Sequence, residues 1–267
     1  MSESILNVSG LTMNFGGIRA LDHLDLDVRS GEIVALIGPN GAGKTTFFNC
    51  LTGIYAPTGG EIRLTSPETG EQFRLNGLKP NQITEMGVAR TFQNIRLFSR
   101  MTVLENVMIG RHCRTRSLIL GAIFRPRWAR DEEQDTIDRS FAILRQVGLA
   151  DMADEVAGNL AYGAQRRLEI ARALATDPFL LLLDEPAAGM NPQETAELVE
   201  LIRRIRGEGH AVLLIEHDMK LVMTLSDRVF VVDYGRKIAQ GTPDEIRVDA
   251  AVIKAYLGEE LSDEDRR

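Results

Sequence analysis

The sequence predicts an α/β protein in which helices pack on a parallel sheet and a small antiparallel sheet comes first. Nearly uniform apolar runs at 32–37, 180–184, 211–216 and 228–232 are typical of strands buried on both faces. Helical patterns at 193–206 and 219–225 separate the later runs, as they do in parallel βαβ units. The first thirty residues alternate between polar and apolar side chains, which indicates half-buried antiparallel strands.

Helices replace strands between Gln93 and Leu160, where the clearest helical patterns cover 103–109 and 132–147. We therefore expect a single domain of 267 residues that is divided into three parts. An α/β core with its N-terminal β-subdomain occupies 1–92 and 178–258, an inserted helical subdomain occupies 93–177, and a solvated tail occupies 259–267.

The composition argues against several classes of protein. Hydrophobic residues make up 44% of the chain and charged residues 26%, as in soluble globular proteins. The net charge of −7 argues against nucleic-acid binding as the main function. The N-terminus lacks the basic and then apolar pattern of a secretory signal. Cys50 and Cys113 have no metal-ligand spacing, so we expect two reduced thiols, as in a cytoplasmic protein.

A phosphate-binding loop is predicted at 38–45, which reads GPNGAGKT. This matches G-x-x-x-x-G-K-[ST], and the loop lies between a predicted strand and a predicted helix at 44–51, as the motif requires. Glycines let backbone N–H groups face phosphate oxygens, Lys44 neutralises the β and γ phosphates, and the Thr45 hydroxyl is a ligand for Mg²⁺. The predicted triphosphate site comprises Gly38, Pro39, Asn40, Gly41, Ala42, Gly43, Lys44, Thr45 and Thr46.

Two carboxylates end the apolar run LLLLDE at 180–185. Asp184 is placed to hold hydrated Mg²⁺, and Glu185 is placed to polarise the attacking water as a general base. An acidic pair after a strand is often only the beginning of a loop. Together with the phosphate loop, however, the pair predicts a hydrolytic site.

Five further segments occur in the order and spacing seen in ABC-transporter ATPase subunits, and the resemblance extends from Phe15 to Gly241. It implies a P-loop NTPase fold with a RecA-like core, and ATP and Mg²⁺ as cofactors. Phe15 resembles the aromatic residue that stacks on adenine, Gln93 in RTFQN resembles the Q-loop glutamine that contacts Mg²⁺, and His217 in LIEHDM resembles the switch histidine. Each taken alone has a plainer interpretation: a core aromatic, a polar loop residue and a structural histidine.

The remaining two segments resemble the signature sequence and the D-loop, with departures from the usual pattern. The signature is LAYGAQ, where the family usually has LSGGQ; it comprises Leu160, Ala161, Tyr162, Gly163, Ala164 and Gln165. In the family this segment completes the ATP site of a partner subunit. Loss of the serine hydroxyl at Ala161 removes a donor to a charged acceptor, a contribution of about 1.5–3 kcal/mol. Asn191 in GMNP takes the D-loop position of a typical aspartate.

Longer segments, including EPAAGMNP and the stretch from 241 to 260, are similar to the LivG-type ATPases of branched-chain amino-acid importers. That resemblance implies a second, related ATPase chain, two membrane permease subunits and, indirectly, a periplasmic substrate-binding protein. It also implies a peripheral position on the cytoplasmic face of the inner membrane. The alternatives are a urea or amide importer, an exporter or a lipopolysaccharide-extraction complex, and a soluble ABC ATPase acting on nucleic acid or ribosomes, which the acidic charge disfavours.

A basic segment at 111–130 carries six arginines between apolar residues and Trp128. Such a segment is suited to contact with permease loops or with an anionic membrane surface. A helical hairpin with a solvated arginine face is equally compatible with the pattern.

Overall fold

Two β-sheets form the framework of the protein in a computed structural model, which describes residues 4–114 and 127–256. The first sheet is antiparallel and has the strand order β2-β1-β4-β5, with bounds β1 Ser4–Phe15, β2 Ile18–Arg29, β4 Gly59–Thr65 and β5 Gln72–Arg74. The second has the order β10-β9-β3-β8-β7-β6, with bounds β3 Ile33–Ile37, β6 Val88–Arg90, β7 Leu180–Asp184, β8 Ala211–Ile215, β9 Arg228–Asp233 and β10 Arg236–Gly241.

The second sheet confirms the predicted parallel pairing of four buried strands. β3 pairs in parallel with β8 and with β9, and β7 pairs in parallel with β8. The edge strand β10 instead runs antiparallel to β9, so the sheet is mixed. The early alternation is also confirmed as an antiparallel sheet, because β1 pairs antiparallel with both β2 and β4.

Helices cover the sheets or lie between their strands. Their bounds are α1 Lys44–Leu51, α2 Pro80–Glu85, α3 Val103–Arg111, α4 Arg127–Gln146, α5 Tyr162–Leu174, α6 Pro192–Gly207, α7 Met219–Leu225 and α8 Pro243–Arg247. The helices α3, α4 and α5 fall within 93–177, and the division of the chain at those bounds stays a prediction. Within the described ranges, no helix is both long and apolar enough to cross a bilayer.

The core lies on both faces of the mixed sheet, because successive strand residues point to opposite faces. Val34 and Leu36 of β3 join the cluster that contains α1 and the antiparallel sheet. Ile33, Ala35 and Ile37 join the cluster that contains helices α3 to α7. Every residue of β3, β7 and β8 is buried, so these strands and the loops at their carboxyl ends have a rigid support.

Two predictions concern residues outside the described ranges. Most of the basic segment at 111–130, including Arg125, lies in 115–126 or at side chains that are not described. The tail at 259–267 lies beyond residue 256. The cysteines are free thiols, with Cys50 buried and Cys113 exposed.

Candidate ATP-hydrolysis site

The candidate site lies where β3, β7 and β8 end. Leu36 and Asp184 both pair with Ile215, so the carboxyl ends of the three parallel strands meet at one edge of the sheet. The residues after these ends are the phosphate loop, the acidic pair and the segment with His217. Binding at the carboxyl edge of parallel strands is the general rule in open α/β sheets.

The phosphate loop needs glycine where the backbone is left-handed and crowded. Gly43 has φ 102°, and a Cβ atom there would lie 2.6 Å from the carbonyl oxygen of Ala20. The buried Lys44 turns back over its own loop, because its Nζ donates to the carbonyl oxygens of Gly38 at 2.5 Å and Pro39 at 2.8 Å. Thr45 and Thr46 follow in the first turn of α1, where backbone N–H groups and the helix dipole favour an anion.

One cleft of about 300 Å³ unites the phosphate loop with all three predicted catalytic side chains. Its lining consists of Ala20, Asn40, Gly41, Ala42, Gly43, Lys44, Thr45, Thr46, Gln93, Glu185 and His217.

Glu185 is held from two sides by the other predicted catalytic residues. Gln93 Nε2 donates to Glu185 Oε2 at 2.8 Å, and His217 Nε2 donates to Glu185 Oε1 at 2.6 Å. The backbone of Glu185 is left-handed, with φ 48°, and its N–H donates to the carbonyl of Ile215 at 2.9 Å. A non-glycine residue in this conformation costs about 1–2 kcal/mol. The turn therefore directs Glu185 out of the sheet and towards the phosphate loop.

Asp184 is buried at the end of β7 and forms an ion pair with Arg90. Arg90 Nη2 lies 2.7 Å from Asp184 Oδ2, and the two side chains are only 6% and 5% exposed. Arg90 Nη1 also donates to Asn49 Oδ1 at 2.8 Å and to Thr52 Oγ1 at 3.3 Å on α1. The guanidinium thus fixes the carboxylate relative to the helix that begins at the phosphate loop.

The donor set of Thr45, Gln93 and Asp184 fits Mg²⁺ bound together with phosphate. Mg²⁺ usually keeps several waters and uses one or two carboxylates plus substrate phosphates, not an all-protein cage. Among the described residues, no three His, Cys, Asp or Glu side chains cluster closely enough to hold a metal ion. Thr45 and Gln93 line the cleft, whereas Asp184 is not among its lining residues and lies at the end of β7, where Arg90 fixes its carboxylate as an outer-sphere partner would.

The six signature residues do not line this cleft. Ala161 is the N-cap of α5 and makes no side-chain capping hydrogen bond, as expected after loss of a hydroxyl. Leu160, Gly163 and Ala164 are buried, whereas Tyr162 is exposed at the start of the helix. Gln165 Nε2 donates to the carbonyl of Leu160 at 2.8 Å, which closes the turn on itself.

Asn191 and Phe15 also lie outside the cleft lining. Asn191 is the N-cap of α6, where its Oδ1 accepts from the N–H groups of Gln193 at 2.9 Å and Glu194 at 3.0 Å. Phe15 ends β1, is 41% exposed and packs edge-to-face on Tyr55, with ring centroids 5.1 Å apart. Its exposure leaves part of the ring accessible to a ligand.

The sequence analysis missed several buried charged residues that support the site. Arg90 supports Asp184, and Arg166 with Glu169 supports the loop at Gln93. Glu216 accepts from the N–H groups of Ala187 at 2.9 Å and His217 at 3.2 Å, and burial raises its pKa. Only Glu216 has a signal in the sequence, because it directly follows the apolar run at 211–215, whereas Arg90, Arg166 and Glu169 have none.

Comparisons with known proteins identify the family of the chain. Residues 21–188 match the family described as ABC transporter, and residues 236–262 match the family described as branched-chain amino acid ATP-binding cassette transporter. The high-affinity branched-chain amino acid transport ATP-binding protein LivG of Salmonella typhimurium is 51% identical over 260 residues, which cover 97% of this chain and 100% of LivG. BraF of Pseudomonas aeruginosa, a protein with the same description, is 50% identical with the same coverage.

A solved ATP-binding cassette of an ABC transporter in its ADP conformation has the same fold. It superposes with a TM-score of 0.82 at 31% sequence identity, over 96% of this chain and 100% of that chain.

Proposed function

The chain belongs to the ABC transporter ATPases, and we propose that it hydrolyses ATP to energise the import of branched-chain amino acids. The observation that carries this proposal is the convergence of Gln93, Glu185 and His217 in the cleft formed by the phosphate loop. The transported substrate is inferred from the descriptions of relatives that are half identical over almost the entire chain.

In the proposed reaction, Glu185 orients a water for in-line attack on the γ-phosphorus and accepts its proton, while the bond to the β-phosphate oxygen breaks and ADP leaves. Lys44 would exchange its loop carbonyls for phosphate oxygens. Gln93 and His217 hold the two carboxylate oxygens of Glu185 and restrict its orientation. Mg²⁺, held by Thr45, Gln93 and Asp184, would supply positive charge to the β and γ phosphates.

A second ATPase subunit would complete this site. The signature residues are absent from the lining of their own chain's cleft, which supports their use in the cleft of a partner. The partner is proposed to be a related, different chain, because the resemblance to LivG-type ATPases implies a second, related ATPase. Two permease subunits and a periplasmic binding protein would complete the importer, with this chain on the cytoplasmic face of the membrane.

ATP turnover and assembly of the Glu185→Gln variant test the catalytic part of this proposal. The substitution keeps the shape of Glu185 and removes its negative charge, so we expect turnover to vanish while ATP and Mg²⁺ stabilise a dimer with the related partner chain, which size measurements detect. The control is Glu200→Gln, because Glu200 is exposed on α6. An ATP-dependent dimer of this chain alone would show instead that the partner is a second copy. Persistent turnover would contradict the assignment of Glu185.

Uptake by the assembled transporter tests the substrate. Proteoliposomes containing this chain, its co-purifying ATPase and permeases, and the binding protein should accumulate leucine, isoleucine or valine only with ATP inside. Accumulation of urea or a short amide instead would refute the branched-chain assignment and leave the ATPase assignment intact.

A further inference from the structure

A fully buried ion pair connects the helix that carries the signature to the loop that carries Gln93. Arg166 and Glu169 lie one turn apart on α5, with side chains that are 0% and 1% exposed, and Arg166 Nη1 lies 2.8 Å from Glu169 Oε2. Burial raises the pKa of Glu169, and the charge of Arg166 opposes that rise. Neither residue lines the ATP cleft.

Both members of the pair also form hydrogen bonds with the backbone around Gln93. Arg166 Nη1 donates to the carbonyl of Phe92 at 2.7 Å, and Nη2 donates to the carbonyl of Gln93 at 2.8 Å. Glu169 Oε1 accepts from the N–H groups of Phe92 at 3.3 Å and Arg96 at 3.4 Å. Two charged groups thus bind the loop backbone on both sides of Gln93.

The same guanidinium reaches the signature segment. Arg166 Nη2 lies 3.3 Å from the hydroxyl of Tyr162, the first residue of α5. The next residue, Gly163, is closely packed, since a Cβ atom there would lie 2.5 Å from Glu194 Oε1 at the start of α6. The beginning of α5, the pair and the Q-loop backbone therefore form one connected polar unit.

The stability of the folded chain alone does not explain why Arg166 and Glu169 form a buried ion pair. Replacing a buried ion pair by apolar residues of similar volume is often neutral or stabilising, because desolvation of the charges offsets their attraction. The pair is better explained by a need to hold the backbone at Gln93 in a defined position. Groups that take part in a reaction must be placed accurately. A misplacement of about 1 Å can reduce a rate about 100-fold.

We propose that Arg166 and Glu169 are positioning residues that fix Gln93 relative to the signature helix, and so align its side chain with Glu185. The inference rests on the proposed function. A partner subunit that displaces the start of α5 would thereby move Gln93, which is bonded to Glu185 at 2.8 Å. Arg166 and Glu169 themselves contact neither ATP nor water in this scheme.

The test combines Arg166→Met with Glu169→Leu, so that both charges are removed together. Turnover is measured in the complex that the full chain forms with its partner subunits. We expect a loss of about 10- to 100-fold in kcat, with the KM for ATP and the thermal unfolding midpoint close to those of the parent. The control is Arg167→Met with Glu197→Gln, because Arg167 is the neighbour of Arg166 on α5 and its pair with Glu197 of α6 is partly solvent-exposed, at 21% and 50%. It should leave turnover unchanged.

A Gln93→Ala background distinguishes positioning from a general structural role. If the pair acts through Gln93, its removal causes no further loss once the Gln93 side chain is absent, because the effects of coupled residues do not add. An equal fold-loss in both backgrounds would overturn the proposal, as would an unchanged kcat in the parent background. Arg166→Lys is the second variant. Its single ammonium keeps the positive charge but lacks the forked guanidinium that binds both carbonyls. We therefore expect a kcat between those of the parent and the double variant.

Measuring Glu185→Gln in the same complex separates the two proposals. If turnover depends on Glu185 but the double variant is insensitive to the Gln93 background, only the positioning proposal fails. If the parent complex shows no turnover that depends on Glu185, both proposals fail.

Discussion

Arg90→Met should be among the most destabilising single substitutions at this site. The change removes the partner of Asp184 from a pair whose side chains are 6% and 5% exposed, with 2.7 Å between Nη2 and Oδ2. Removing one member of a buried ion pair leaves an uncompensated charge and costs about 3–5 kcal/mol. The hydrogen bonds to Asn49 and Thr52 are lost as well, so we expect a value towards the upper end of that range.

Urea unfolding without nucleotide measures this cost. A chelator is required, so that no divalent cation replaces the guanidinium beside Asp184. The matched control is Arg139→Met, because Arg139 pairs with Asp135 on α4 and both side chains are more than half exposed, at 56% and 54%. That pair should contribute only about 0.3–0.5 kcal/mol.

A double variant identifies the cause of the loss. Arg90→Met combined with Asp184→Asn removes the isolated charge, so it should be more stable than Arg90→Met alone, by about 1–3 kcal/mol. Equal costs for Arg90→Met and Arg139→Met would refute the reasoning. Purely additive effects at Arg90 and Asp184 would also refute it, because residues in contact should couple.

Three further predictions concern the phosphate loop, acid stability and the signature. Gly43→Ala should destabilise the chain more than Gly41→Ala, since both need a positive φ but only the Cβ at Gly43 meets backbone; equal unfolding midpoints would contradict this. His23, Arg236 and Arg19 hold the pKa of Asp22 well below its usual range, so its stabilising effect is present above about pH 4 and is lost in acid. The unfolding midpoint of Asp22→Asn should therefore approach that of the parent as the pH falls from 7 to 3, and a constant difference would contradict this. Ala161→Ser should cap α5, adding about 1 kcal/mol of stability, and should raise ATP turnover in the complex; unchanged turnover would contradict the proposed signature effect.

Long apolar strands were predictable because burial on both faces leaves little choice of residue type. The predicted strand at 180–184 and the helix at 219–225 have the bounds seen in the structure. The sequence analysis did not predict the strands β6 and β10, for two different reasons. β6 has only three residues, and β10 is an edge strand without a fully buried residue, so neither shows a clear apolar period. The alternation predicted for the first thirty residues is interrupted inside β1, where the pairing with β2 is irregular between Val8 and Leu11 and Gly10 has φ 57°.

The side chains proposed to be catalytic were found in the sequence by local patterns, which the residues that support them lack. Gln93, Glu185 and His217 each occur within a short local pattern that survives in the sequence. Arg90 and Arg166 have no such pattern, because Arg90 pairs with Asp184, 94 residues away, and Arg166 binds the carbonyl of Phe92, 74 residues away. A buried arginine cannot be distinguished from a surface arginine until those partners are placed by the fold.

Two buried arginines hold the chain segment at Gln93 at two different points. Arg90 anchors its beginning to Asp184 and to α1, and Arg166 anchors its middle to α5. The segment is therefore bonded on one side to the core at Asp184 and α1, and on the other side to the helix that carries the signature segment. Under the proposed function, we expect a movement of α5 to displace Gln93, because Arg166 donates to the Gln93 carbonyl at 2.8 Å. The proposed general base Glu185 would then respond to a partner subunit through Gln93, whereas Asp184 would stay paired with Arg90.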